Sequence, residues 1–126
     1  MDQFTQTIYL LHARILKALA HPKRLMIMDS LHSGEKSVGE LVELLELPQA
    51  TVSQHLAGLR DEQVVTTRRE GNSIFYSLAD PRIVQACDIF HQVLADRMKT
   101  SQAFADRFPT LRPFRGEAAP KGESAA

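Results

Sequence analysis

Apolar positions near the start of the chain recur at helical spacing. Ile8, Leu11, Ile15 and Leu19 fall on one stripe, which predicts a helix over Gln3–Leu19. His21-Pro22 marks the next boundary, with His21 near the cap and Pro22 at the first helical position. A second helix then runs to about Leu31, with Leu25, Ile27 and Met28 facing inward and Gly34 just past its end. Ser37 opens a third helix over Ser37–Leu47, because Glu40 stands three residues on and the two side chains can cap each other's free backbone N–H. Pro48 pushes its preceding residue out of the α region, ending that helix and starting a fourth over Gln49–Glu62. Val52, Leu56 and Leu59 give this fourth helix its inward face.

The period changes between Val64 and Leu78. Val, Thr, Ile, Phe and Tyr dominate there and Gly71-Asn72 interrupts them, the pattern of a hairpin with a tight turn. Asp80-Pro81 then caps a last helix. Ile83, Ala86/Cys87, Phe90, Val93/Leu94 and Arg97/Met98 form one long stripe on it. The expected fold is therefore mainly α with a small β-hairpin. Two short helices meeting at a tight connection, followed at once by a ribbon, make the plan of a winged helix-turn-helix. One domain is expected over residues 1–105. From 106 to 126 the chain is rich in Pro, Gly, Ala, Ser and charge, with Pro109, Pro113, Pro120 and Gly122, and disorder is expected.

Size and apolar surface bear on assembly. With 126 residues there is little room for a catalytic cleft beside the core. The first and last helices together carry more apolar face than such a domain covers alone. A homodimer packed through those two helices is the expected remedy. No apolar run approaches a membrane span, no signal peptide is evident, and the single cysteine suits a reducing cytoplasm.

Charge sharpens the picture. The chain has 15 basic and 15 acidic side chains and a formal net charge of zero, unusual for a binder of nucleic acid. The distribution is uneven, however. Arg14, Lys17, Lys23 and Arg24 face only Asp2 in residues 1–25, whereas Asp29, Glu35, Glu40, Glu43 and Glu46 crowd residues 26–47 beside Lys36. The acidic run covers the first helix of the motif, which lies back from DNA in this plan. The outer face of the fourth helix holds Thr51, Ser53, Gln54 and His55, short groups able to donate and accept hydrogen bonds. On an isolated helix such a set merely solvates the surface. Between Pro48 and a basic hairpin it suits the edges of base pairs.

The segments Leu16–Leu25, Ser37–Leu41, Ala50–Leu56 and Arg68–Leu78 resemble, in order and spacing, the ArsR/SmtB family of winged-helix repressors. The likeness covers roughly residues 8 to 98. It implies a homodimer that sits on an inverted-repeat operator in double-stranded DNA, blocks transcription and is released by an inducer. By position it implies base-edge and phosphate contacts from Gln49, Thr51, Ser53, Gln54 and His55, with Arg68, Arg69 and Asn72 forming the wing.

The same likeness implies sensing sites that this chain lacks in part. A thiolate cluster in the third helix needs cysteines near Ser37–Val42, and none is there. A histidine–carboxylate site would fall at Asp80, Arg82, Val93 and Asp96, where Arg82 and Val93 replace imidazoles and leave a poor transition-metal site. Asp88 and His91, three apart, are the remaining candidate metal pair, although a hydrogen-bonded surface pair is the commoner outcome. The resemblance is closest to a sulfide- and persulfide-responsive branch that pairs two cysteines. Here Asp29 occupies the helix-two position and Cys87 falls about two turns early, so the pair is absent. Cys87 is thus a candidate redox thiol or, on an apolar stripe, a small buried hydrophobe. No cofactor is expected, and the inducer is left unidentified.

Two other function classes compete. A winged-helix protein-interaction module without DNA binding would explain the neutral charge, yet it should enrich aromatics and Met where Thr51–His55 and Arg68-Arg69 stand. An enzyme would have to use Cys87 with His91, and no orienting group or oxyanion device accompanies that pair.

Overall fold

A computed structural model of the protein describes residues 1–107. Its elements run α1 (Gln3–Leu19), α2 (Pro22–Leu31), β1 (Lys36–Ser37), α3 (Val38–Leu45), α4 (Gln49–Asp61), β2 (Val65–Glu70), β3 (Ser73–Leu78), α5 (Arg82–Thr100) and α6 (Gln102–Arg107). They fall into two compact units, Met1–Pro81 and a second beginning at Arg82. The boundary between the two units falls at Pro81. There a proline ends the extended chain, because the residue before it is held out of the helical region.

Local chemistry explains the starts of the first three helices. Asp2 caps α1 by accepting the Thr5 backbone N–H at 2.8 Å. His21 caps α2, its Nδ1 accepting the Lys23 N–H at 3.1 Å, and Pro22 follows at the first helical position. Ser37 and Glu40 form the expected capping box, with the Glu40 N–H donating to Ser37 Oγ at 3.1 Å and the Ser37 N–H to Glu40 Oε1 at 3.0 Å. α3 stops at Leu45, two residues short of the expected Leu47, since Glu46 is left-handed (φ 54°). With Pro48 so close, Leu47 has no helical conformation to continue into.

The core of this unit joins helices to ribbon. Ile27, Leu41, Val52, Leu56 and Leu59 are fully buried at 0% exposure, with Met28 and Leu31 of α2 and Val64 and Val65 at the ribbon base alongside. Leu25, expected inside, is half-buried. α1 contributes only Ala18 and Leu19 to the core. Ile8 and Leu11, on the apolar stripe expected for this helix, are exposed together with Phe4, Tyr9, Leu10 and Leu16.

The expected hairpin is two strands of a three-stranded antiparallel sheet ordered β1-β3-β2. β1 pairs Lys36 with Tyr76 and Ser37 with Phe75. Two residues are too few to show alternation, which is why the sequence pattern misses this strand. β2 and β3 pair from Val65↔Leu78 out to Glu70↔Ser73, and Gly71 turns the chain at φ +62°.

In the second unit, Val84 and Ala95 of α5 are buried and Ile83, Cys87, Leu94 and Met98 are half-buried. Ile89, Phe90 and Val93 are exposed. α6 carries through Asp106 and Arg107, the first two residues of the segment expected to be disordered. Residues 108–126, the rest of that tail, lie outside the described residues.

Candidate nucleic-acid interface

α4 is divided lengthwise. Val52, Leu56 and Leu59 seat it in the core, while Gln49, Ser53, Gln54 and Arg60 are exposed and Thr51 is half-buried. A helix with one face locked in the core presents its opposite side chains at a fixed angle. Pro48 at the N-cap supplies no side-chain hydrogen bond, so the first N–H groups of α4 and the positive end of its dipole are available to an anion such as phosphate.

His55 departs from this outward set. Its ring packs against His21 at 4.4 Å between centroids, tilted by 49°. Its Nδ1 accepts from Arg24 Nε at 3.1 Å, and Arg24 Nη1 donates to the Ala18 carbonyl at 3.0 Å. The guanidinium lies on Gly58, where a Cβ would come within 2.3 Å of Arg24 Nη2. α4 is therefore tied to α2 and to the end of α1 through a neutral imidazole, and His55 is half-buried where Gln49, Ser53 and Gln54 are exposed. Neither Arg24 nor Gly58 stands out as functional in the sequence. The available signal is a glycine inside a helix, which costs about 1 kcal/mol against alanine unless something must approach closely there.

Burial lowers the His55 pKa, and the nearby charges of His21, Arg24 and Lys23 lower it further. The folded chain consequently takes up this proton less readily than the unfolded chain, whose value is about 6.5. The contribution of the group to stability is fully present above about pH 6.5 and is lost as pH falls from there through the depressed folded value. Thermal unfolding between pH 7.5 and 5 should show the melting temperature falling on acidification, with a shallower fall in His55→Gln. Equal slopes in the two proteins would contradict the assignment.

The wing residues are also not equivalent. Arg69 and Asn72 are exposed toward the turn. Arg68 grips the Glu35 carboxylate through Nε (2.8 Å to Oε2) and Nη2, and Glu70 through Nη1 (2.9 Å). Its guanidinium also covers the Phe75 ring at 4.8 Å. The Glu35 and Glu70 hydrogen bonds raise the Arg68 pKa, and Arg68 in turn lowers that of Glu35.

Comparison with known proteins supplies the family. The profile described as "Bacterial regulatory protein, arsR family" matches residues 21–67, from the cap of α2 into β2. A biofilm growth-associated repressor of Agrobacterium fabrum is 44% identical over 81 residues, 64% of this chain and 69% of the relative. The chain belongs to the arsR family of bacterial regulatory proteins. The transcriptional activator HlyU of Vibrio cholerae is 42% identical over 79 residues, 63% of this chain and 73% of that protein. The structure of its reduced form superposes with a TM-score of 0.65 and 37% identity, covering 73% of this chain and 97% of that one. A homodimeric winged helix-turn-helix DNA-binding domain from Mycobacterium bovis matches with a TM-score of 0.64 and 30% identity, over 79% of this chain and 91% of that one. These relatives place the arsR-family chain among DNA-binding transcriptional regulators and not among enzymes.

Within this arsR-family regulator the candidate sensing residues fall in both units. Cys87, Asp88 and His91 are all half-buried on α5. Asp29 on α2 and Asp80 are half-buried, whereas Arg82 and Val93 are exposed. Among the described residues no group of three or more His, Cys, Asp or Glu is placed to hold a metal ion, and no helix is long and apolar enough to cross a membrane.

Proposed function

We propose that this arsR-family protein is a homodimeric, sequence-specific transcriptional repressor that reads an inverted-repeat operator through α4 and leaves it when an inducer binds. The observation that carries the reading is the outer face of α4. Gln49, Ser53 and Gln54 are exposed on a helix whose opposite side is wholly buried. Glutamine can pair bidentately with adenine N6 and N7, and serine can donate or accept at either base type. Thr51 lies at the margin of that face, and Arg69 and Asn72 sit on the adjoining ribbon within the plan's usual reach of the backbone.

Dimerisation is supported by surface chemistry and by kinship. Phe4, Ile8, Leu11, Ile89, Phe90 and Val93 leave apolar area on α1 and α5 that a second copy would cover. The M. bovis domain is described as homodimeric. The relative from A. fabrum is named a repressor, whereas the V. cholerae one is named an activator, so the sign of regulation rests on the first. Two α4 helices about 34 Å apart would meet successive major grooves of one duplex face. The protein would act in the cytoplasm, where the operator is.

A mobility-shift titration against the region upstream of the protein's own gene tests this reading. A specific complex of two chains per duplex is expected, with protection over a two-fold symmetric sequence. Repeating it with zinc, arsenite, polysulfide and peroxide, and then with Cys87→Ser, assigns the inducer. Equal affinity for a scrambled duplex would defeat the proposal.

A further inference from the structure

We propose that Arg68 is a positioning residue that braces the wing, and that Arg69 alone supplies the wing's cation to a DNA phosphate. The inference rests on the DNA-binding reading above and assigns separate jobs to two adjacent arginines.

Strand geometry separates them first. Arg68 is paired across the ribbon with Phe75, and Arg69 with Ile74. Successive side chains of a strand point to opposite faces, so the two guanidinium groups cannot address the same stretch of backbone. Partners separate them further. All three nitrogens of Arg68 carry a carboxylate contact, Nε and Nη2 to Glu35 and Nη1 to Glu70. Arg68, Glu35 and Glu70 together sum to one negative charge, so the cation of Arg68 is already more than neutralised by its own partners. Arg69 is exposed on the other face.

The brace answers a mechanical need. β1 reaches β3 only at Phe75 and Tyr76, so beyond Phe75 the ribbon is two-stranded, and two strands alone are marginal in water. β2 is the strand that does not touch β1. Arg68 leaves β2, crosses the ring of Phe75 on the central strand, and grips the residue immediately before β1. Side-on capture of a carboxylate by Nε and Nη2 fixes direction as well as distance, which an ammonium cannot do. The wing is thereby tied to the connection between α2 and α3, whose helices hold α4 in place.

The test is the salt dependence of operator binding by the full chain, from roughly 50 to 200 mM KCl, with melting curves to confirm folding. Each phosphate contact contributes about 0.9 to the slope of log affinity against log salt. Arg69→Ala should lower the slope by about 1.8 for a dimer, one contact per wing. Arg68→Ala should weaken binding severalfold with the slope unchanged. Glu35→Gln should reproduce that loss, and combining the two changes should add nothing further. Arg68→Lys should behave like Arg68→Ala, since it keeps the charge and loses the fork. A slope lowered by Arg68→Ala, affinity unaffected by Arg68→Ala, tighter binding in Glu35→Gln, or full function in Arg68→Lys would each overturn the brace. Failure of the unaltered chain to bind any operator would instead remove the DNA-binding reading itself, and the brace with it.

Discussion

Leu56→Ala is expected to destabilise the protein by about 2–5 kcal/mol, the range for truncating a buried leucine. Leu56 has no exposed surface and sits midway along α4, between Val52 and Leu59, which are equally buried. Truncation removes favourable transfer from water and leaves a void whose walls belong to several elements and can close only in part. The total stability of a small domain is about 5–15 kcal/mol, so a large share would go with one side chain. Denaturant unfolding followed by circular dichroism would measure the loss. Ala57→Ser, an exposed change one residue along on the same helix, should stay within about 0.5 kcal/mol of the parent. A Leu56→Ala protein as stable as its parent would mean that α4 is not seated as described. The reading face would then have no fixed direction.

Gln54→Ala should do the reverse, leaving stability nearly untouched and costing about 1–3 kcal/mol of operator affinity per half-site, the worth of one good bidentate base contact. Two symmetric half-sites double that figure, so the operator complex should weaken by roughly 30-fold or more. Affinity for an unrelated duplex should hardly change, because that background comes from phosphate contacts. The informative quantity is therefore the ratio of specific to non-specific binding at one salt concentration. A uniform loss on both duplexes would make Gln54 a backbone contact. No loss on either would remove the α4 reading altogether.

Much of this architecture is legible in the chain because several independent signals agree at the same residues. Ser37 and Glu40 announce α3, His21-Pro22 announces α2, and Val52, Leu56 and Leu59 phase α4, and all of these stand in the structure as the pattern implies. The parts that escape are those with no periodic signature. β1 is two residues long, and Glu46 enters a left-handed conformation that side-chain identity does not advertise. The intrachain bonds of His55 and Arg68 escape for a different reason. Residue type shows that each can bond to DNA. Their partners Arg24 and Glu35 lie 31 and 33 positions away in sequence, and only folding brings them together. Residue type tells what a side chain can bond to, and the fold shows that some of these polar groups are already engaged by their own chain.

The lengthwise division of α4 also bears on how such regulators diversify. Because the side chains that hold the helix and those that would meet bases occupy separate angular sectors, drift at Gln49, Ser53 and Gln54 can rewrite target preference while the scaffold is inherited intact. Duplicated copies could part company over promoters long before they differ in foldability. Exchanging those positions alone between paralogues is the natural route to retargeting.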